Sequence, residues 1–308
     1  MVVGFIPMAL LFPAGYALAG LWPEIFDSGV LFALPLLFLV VALTQLAAGY
    51  IRSVMRGWKV HADSLLAEDR KVDLRELYGL RGLLVTYVLV VAAVQIVFVS
   101  YVLPQSNTVL QNMLISLPFL YWNFYLDTVF WMFAFSIYKI YRTGKLPMKL
   151  MSFTEDRTLG LKPFGRASLQ LIATFFIFLF MILFAQILTV GISTAVMALI
   201  IGVALVGLGL FFVPLVSLHG KLVSAKAEAY AWITPQHTAL MELVRRIGVK
   251  NTGEGVLGQL AAVEGIRRDI GQIHSWPFDV GIVVRLSAIV LSVVAILLSA
   301  LLRDAFGI

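Results

Sequence analysis

Residues 29–59 read GVLFALPLLFLVVALTQLAAGYIRSVMRGWK, and this stretch decides the fold. Its first part, 29–50, contains no charged residue, whereas Arg52, Arg56 and Lys59 follow within nine positions. A helix needs about 20 apolar residues to cross the hydrocarbon core of a bilayer. Translocation of basic segments is disfavoured, so basic residues after such a run indicate the cytoplasmic side. The stretch therefore predicts a membrane-spanning helix whose C-terminal end lies inside the cell.

The other basic residues follow the same pattern. Twenty-two of the 23 Lys and Arg residues lie in four places: the segments 52–81, 139–166 and 221–268 between apolar runs, and Arg285 near the start of the last run. The short connections within each pair of runs carry no Lys or Arg, so they are expected on the external side. The predicted fold class is all-α, a polytopic α-helical membrane protein with a small cytoplasmic helical bundle.

Seven apolar runs are long enough to span a bilayer. They are 2–21, 29–50, 80–102, 119–140, 169–190, 195–217 and 280–302. Seven crossings predict a multi-pass protein of the plasma membrane with a cytoplasmic N-terminus and an external C-terminus. Pro7 and Pro13 interrupt the first run, so the alternative is that 2–21 re-enters the membrane and only six runs span it.

The domain organisation follows from these runs. Residues 1–217 are expected to form spans one to six with cytoplasmic loops at 51–80 and 141–167. Residues 218–276 are expected to form a cytoplasmic helical region. Residues 277–308 comprise the seventh span and a short external C-terminus.

Two helices are predicted within the cytoplasmic region. Thr234 and Pro235 are typical of an N-cap followed by the first helical position, and Gly248 is typical of a C-terminal cap. From Glu254 to His274, apolar residues recur at spacings of three and four, which predicts an amphipathic helix with one face to bury. Its expected partner is the preceding helix, and the alternative is another subunit.

Composition excludes several classes of protein. The chain is 61% hydrophobic and 13% charged, whereas soluble domains have about 25% charged residues. The net charge of +6 comes from the loop pattern, so nucleic acid is not an expected partner. Cysteine is absent, which excludes disulfides, thiolate metal sites and a cysteine nucleophile. The expected partners are membrane lipid, a small ion and further copies of the same chain.

Asp127 is the candidate for chemistry inside the membrane. It is the only acidic or basic residue predicted deep in the bilayer, where a charge costs at least about 2.5 kcal/mol. Asn123 lies four residues earlier, on the same face of the predicted helix. Such a residue indicates an ion path or a proton relay. The alternative is a structural carboxyl group that forms hydrogen bonds between helices.

The sixth span carries candidates for a hinge or gate. Gly202, Gly207 and Gly209 allow close helix contact, and Pro214 removes one helical hydrogen bond and permits a bend. Tight packing without movement is the alternative. The tryptophans near predicted interfaces, Trp58 among them, are interpreted as anchors of the aromatic belt.

No enzymatic motif is present. An intramembrane aspartyl protease would need two carboxylates in the membrane, and a helical metalloprotease would need a His-Glu-x-x-His motif. The four histidines have no spacing typical of a metal site. We therefore expect no catalytic residue, no metal and no cofactor.

Two segments resemble known sequences. The first is DRTLGLKPFG at 156–165, and the second is FFVPL at 211–215 followed by His219 and Lys221. Both resemble segments of uncharacterised prokaryotic, mainly archaeal, multispanning membrane proteins that share a D-R-T-L-G-L-K-P-x-G loop. The resemblance implies no activity. It implies that this loop and the base of the sixth span belong together.

These observations lead to a functional hypothesis. The leading one is a homo-oligomeric ion channel with a cytoplasmic helical domain, in which the sixth span moves and Asp127 lies in or beside the path. The first alternative is a secondary transporter, coupled to protons through Asp127. The second is a membrane scaffold or sensor subunit without transport activity.

Overall fold

The computed structural model describes most of the chain. The described residues are 30–66, 71–89, 108–189, 194–248 and 252–277, with short pieces between 10 and 20 and isolated positions between 281 and 299. All regular secondary structure in these ranges is helical, apart from one isolated β-bridge between Leu66 and Met148. The described part of the chain is therefore all-α, as the sequence predicts.

Five long helices carry the described fold. They are α1 (Val30–Leu65), α2 (Val109–Lys145), α3 (Lys162–Thr189), α4 (Thr194–Ile247) and α5 (Glu254–Gly271). A short 3-10 helix, Arg75–Tyr78, and a helical segment at 80–89 lie between α1 and α2. α1 and α4 each pack against both α2 and α3, so these four helices form a bundle, and α5 folds back on α4.

The helices continue beyond the apolar runs that predict them. α1 extends through its basic residues as far as Leu65. α2 begins at Val109, well before the predicted boundary at 119, because Thr108 and Gln111 form a capping box. The Gln111 backbone N–H donates to the Thr108 hydroxyl, and the Thr108 N–H donates to the Gln111 side-chain oxygen at 2.9 Å.

The prediction of a new helix at Thr234 and Pro235 is wrong. α4 is one helix of 54 residues, and both Pro214 and Pro235 lie inside it. Proline at 235 removes the hydrogen bond to the carbonyl of Ala231, but both residues are exposed, so water can satisfy that carbonyl. The loss is therefore small enough for the helix to continue. The boundary that the sequence suggests between 217 and 218 also lies within α4.

The helix end at Ile247 agrees with the predicted cap. Gly248 has a φ of +80°, and its N–H donates to the carbonyl of Val244 at 2.9 Å. Only glycine adopts this left-handed conformation at little cost, which is why α4 ends here.

The amphipathic face of α5 packs against α4, and this confirms the prediction of packing within the chain. Ile270 is fully buried. The Lys226 ammonium group donates to the carbonyls of Gly271 and Ile273 at the C-terminal end of α5, at 2.8 and 3.0 Å. A cation there satisfies free carbonyls and complements the helix dipole.

Two helices in the described residues are long and apolar enough to cross a membrane. They are Lys162–Met181 and Ala204–Ile247, and they include parts of the predicted fifth and sixth spans. Most of the predicted runs 2–21 and 280–302, and residues 90–102 of the third run, lie outside the described residues.

Candidate functional site

Asp127 lies at the centre of α2. It is 18 residues from Val109 and 18 residues from Lys145, the two ends of the helix, which places it about 27 Å from each. Its exposed fraction is 0%, and that of Asn123, one turn earlier on the same face, is 2%. The structure therefore brings the two predicted site residues together inside the bundle.

The carboxyl group of Asp127 has no hydrogen-bond partner among the described residues. Both of its oxygens are buried and unpaired. The nearest hydroxyl along the helix, that of Thr128, donates instead to the carbonyl of Phe124 at 2.9 Å. A buried polar group without a partner costs roughly 1–3 kcal/mol, and more if it is charged. The contacts seen here give no structural reason to keep a carboxyl group at this position.

The helical segment 80–89 covers α2 beside Asp127. A Cβ atom at Gly82 would overlap the indole of Trp131, so this side chain lies directly against the Gly82 backbone. Five residues on, the ring of Tyr87 packs edge to face on Phe124 with 5.7 Å between centroids. Tyr87 is near enough to Asp127 for the two groups to interact electrostatically. The Tyr87 ring therefore contacts α2 at Phe124, three residues before Asp127.

Phenylalanines close the bundle on the other side of Asp127. The ring of Phe133 stacks on Phe175 at 4.7 Å, and Phe130 contacts Phe175 and Phe178 at 5.9 and 5.8 Å. We call Phe130, Phe133, Phe175 and Phe178 the aromatic layer. Because Phe130 is three residues after Asp127, this layer lies about one turn beyond the carboxyl group on the C-terminal side of α2.

Gly207 brings a third helix, α4, into contact with the aromatic layer. It is buried on α4, and a Cβ atom there would overlap the ring of Phe175. Sequence reasoning identifies Gly207 but misses the phenylalanines, because their meeting depends on how α2 pairs with α3. Only the spacing of Phe130 and Phe133 after Asp127 could have drawn attention to them.

The other hinge candidates lie in different environments. Gly202 and Gly209 are exposed, and a Cβ atom at either would meet nothing within 4 Å among the described residues. Pro214 is buried, and its carbonyl accepts from the Ser217 hydroxyl at 2.9 Å. α4 crosses α2 beside this point, where a Cβ atom at Gly144 would overlap the Ser217 hydroxyl. The four residues therefore do not form one site.

Hydrogen bonds to the Asp156 side chain stabilise the loop 146–161. Its carboxylate accepts from the Thr158 N–H and hydroxyl and from the Gly160 N–H, at 2.9, 2.6 and 2.8 Å. Burial alone would raise the pKa of Asp156, but these hydrogen bonds and the nearby Lys162 charge together hold it below its usual value. The turn that they stabilise contains two positive φ angles, at Leu159 and Gly160.

The same loop contacts three other parts of the fold. The Lys149 N–H donates to the carbonyl of Leu65 at 2.8 Å, and the carbonyl of Arg157 accepts from the His274 N–H at 3.0 Å. The ammonium group of Lys221, at the base of the predicted sixth span, donates to the carbonyl of Leu146. The loop is thus a structural junction between α1, α4 and the residues after α5.

The described residues contain no group of three or more His, Asp or Glu side chains suited to a metal ion. No protein-family model, no characterised protein and no solved structure matches the chain significantly. Functional inference therefore depends on the residues and geometry of the chain itself.

Proposed function

We propose that this chain is a multi-pass membrane protein that passes a small cation across the bilayer, with the proton as the first candidate and Asp127 as its site. The observation that supports this most directly is the Asp127 carboxyl group, which is fully buried and unpaired at the centre of a 37-residue helix. In a bilayer such a residue is costly and is retained for function by default.

Exposed apolar surface supports the membrane location. Five large side chains of the segment 80–89 have exposed fractions between 46% and 66%. These are Leu80, Leu84, Val85, Val88 and Leu89. Soluble monomers rarely present such a continuous apolar face. Contact with lipid would bury it. Two helices that meet the requirements for crossing a membrane support the same location.

The chemistry of the site favours a cation. A buried carboxyl group either holds a proton or attracts a positive ion, and it repels anions. Tyr87 supplies a neighbouring hydroxyl that can donate or accept a proton. In this proposal, a cation that passes Asp127 toward the C-terminal end of α2 has to pass the aromatic layer, which is closely packed.

The burial of Asp127 also limits where the path runs. Asp127 is fully buried within a single chain, which favours a path through each protomer over a pore formed between subunits. A path through each protomer is compatible with a proton-coupled transporter and with a channel whose protomers each conduct.

The homo-oligomeric channel is the second candidate, and the outer face of α4 favours it. Leu205 and Val206 have exposed fractions of 64% and 62%, beside the exposed Gly202 and Gly209. Small residues on such a face allow a second helix to approach closely. Because the chain has no cysteine, Gly209→Cys should form a disulfide-linked dimer in membranes if α4 faces a second copy.

Ion flux into reconstituted vesicles tests the proposed function. Purified protein in liposomes should dissipate an imposed proton gradient, followed with a trapped pH-sensitive dye, faster than protein-free liposomes. Sodium and potassium gradients identify the alternative cations. Asp127→Asn should remove most of this flux. Absence of flux for all three cations would contradict the proposal and favour the scaffold or sensor hypothesis.

A further inference from the structure

A cleft of about 590 Å³ opens beside the C-terminal half of α1. It is lined by Arg52, Arg56, Lys59, Lys71, Val72, Asp73, Leu74, Arg75 and Leu77. The lining includes five cations and one carboxylate. Three of the cations project from α1, and the other two come from the segment 71–77, so the fold brings together charges that the sequence separates.

Hydrogen bonds fix the second wall of this cleft. The Asp63 carboxylate accepts from the Lys59 ammonium group and from the Val72 N–H, both at 2.7 Å. Lys59 also donates to the carbonyl of Val72. The Asp73 carboxylate accepts from the backbone N–H of Arg75 at 2.8 Å, which orders the start of the 3-10 helix. The shape of the cleft is therefore built into the fold.

Two acidic residues near the cleft form ion pairs, and Asp73 in the lining accepts from the Arg75 backbone N–H. Asp63 forms an ion pair with Lys59, and Glu76 forms one with Lys139 of α2 at 3.2 Å. Arg56, Lys71 and Arg75 have no acidic partner in the part of the chain that the structure describes. Like charges gathered in one cleft repel one another, and a bound anion would relieve that repulsion. Basic residues that only keep a loop on the cytoplasmic side do not need to lie together in one cleft.

The chemistry of the lining selects the anion. Guanidinium groups bind phosphate oxygens in a two-pronged geometry, and ammonium groups add point charges. In the proposed topology, Arg52 and Arg56 follow Tyr50, the end of the predicted span, by about 3 and 9 Å along α1. The two headgroup regions of a bilayer together add about 10–15 Å to a hydrocarbon core of about 30 Å, so each is about 5–8 Å deep. Arg52 then lies within this region and Arg56 at its outer edge.

We infer that this cleft binds a phosphate-bearing anion, either the headgroup of an anionic phospholipid or a soluble phosphate compound. The site is separate from Asp127 and does not depend on the cation path. Its determinants are Arg56 and Arg75, which approach the cleft from its two walls.

Thermal unfolding of the full-length protein in an uncharged detergent tests this inference. The probes are inorganic pyrophosphate, short-chain phosphatidic acid and short-chain phosphatidylcholine, with sodium chloride at equal ionic strength as the control. A saturating concentration of a probe that binds the cleft should raise the Tm by several degrees, because a ligand that binds only the folded state stabilises it. A rise with pyrophosphate indicates a soluble ligand, and a rise with phosphatidic acid alone indicates a lipid headgroup.

Two double variants separate the cleft from general charge. Arg56→Gln with Arg75→Gln should reduce the affinity for the active probe at least tenfold. Arg166→Gln with Arg245→Gln removes the same charge from exposed positions outside the cleft and should leave the affinity within twofold. Equal loss in both variants would overturn the inference. So would a wild-type protein that responds no more to either phosphate probe than to sodium chloride, and this result does not depend on whether the variants fold.

Discussion

Asp127 and Asp156 carry the same side chain, but the hydrogen bonding around their carboxyl groups differs. Asp156 lies in the loop 146–161, and three donors from Thr158 and Gly160 satisfy its carboxylate. Asp127 lies at the centre of α2, is more deeply buried, and has no donor among the described residues. The Asp156 carboxylate organises the backbone around it, whereas the Asp127 carboxyl group accepts no hydrogen bond from the described residues.

This difference predicts a structural role for Asp156 and agrees with the functional role proposed for Asp127. A carboxylate that accepts several hydrogen bonds contributes to stability, and its removal should destabilise the fold. A buried carboxyl group without partners contributes nothing comparable, so its replacement should cost little stability. We therefore expect the two aspartates to respond in opposite ways to the same substitution.

The tightest packing near Asp127 should give the largest effect on stability. Gly207→Val inserts a branched side chain where even a Cβ atom would overlap the ring of Phe175. We expect a loss of about 2–3 kcal/mol, as for other overpacked cores, measured by thermal unfolding in detergent. Gly209→Val is the matched control because Gly209 is exposed on the same helix. If both variants are equally stable, the aromatic layer does not contact α4 as described.

The loop aspartate should give the second largest effect. Asp156→Asn removes the acceptor of the Thr158 hydroxyl and the Gly160 N–H, so we expect a loss of about 1–2 kcal/mol at neutral pH. Glu155→Gln, an exposed neighbour, should be neutral. If Asp156→Asn leaves the unfolding free energy unchanged, Asp156 has no structural role and does not differ from Asp127 as described.

The pH dependence of the same variant provides a further check. The pKa of folded Asp156 is lowered from its usual value, which is about 3.9 in an unfolded chain. The carboxylate therefore stabilises the fold fully above about pH 4, and this contribution is lost as the pH falls through the lower, folded pKa. The difference in Tm between wild type and Asp156→Asn should be largest at pH 7 and should shrink below about pH 4.

The smallest effect on stability is expected at Asp127. Asparagine fills the same space, and no described hydrogen bond to the carboxyl group is lost. The change in unfolding free energy should stay below about 1 kcal/mol. Destabilisation as large as that of Asp156→Asn would indicate a structural role for Asp127.

The proposed topology can be tested in the same cysteine-free background. Single cysteines at Ser64, Ser152 and Ser224 should resist an impermeant thiol reagent added outside intact cells, because all three lie in the basic segments. Cysteines at Ser28 and Ser106 should react. Labelling of Ser152 from outside would contradict the arrangement from which the membrane depth of Asp127 is inferred.

The sequence predicts the helices of this molecule well because apolar runs and caps are local features. It predicts the all-α class, the cap at Gly248 and the packing of α5 on α4. It also identifies Asp127, since one acid in an apolar run stands out without knowledge of its neighbours. It wrongly predicts a helix boundary at Pro235. The cost of a proline inside a helix depends on whether water reaches the carbonyl four residues earlier, which sequence alone does not show.

Features that depend on distant segments were not predictable. Trp58 was interpreted as an anchor of the aromatic belt, but it is buried and packs edge to face on Phe164 at 5.5 Å. The aromatic layer requires α2, α3 and α4 to meet at one level. The basic cleft requires the segment 71–77 to fold back on α1. Each depends on a pairing of elements that residue spacing along the chain does not encode.

We propose that Asp127 acts in cation movement, whereas Asp156 acts in folding. The most direct test of this proposal is cation flux into liposomes that contain equal amounts of folded wild type, Asp127→Asn or Asp156→Asn. We expect Asp127→Asn to lower the flux at least about tenfold, as for loss of a proton-transfer group, and Asp156→Asn to retain wild-type flux per folded molecule. Equal flux through wild type and Asp127→Asn would contradict the proposal.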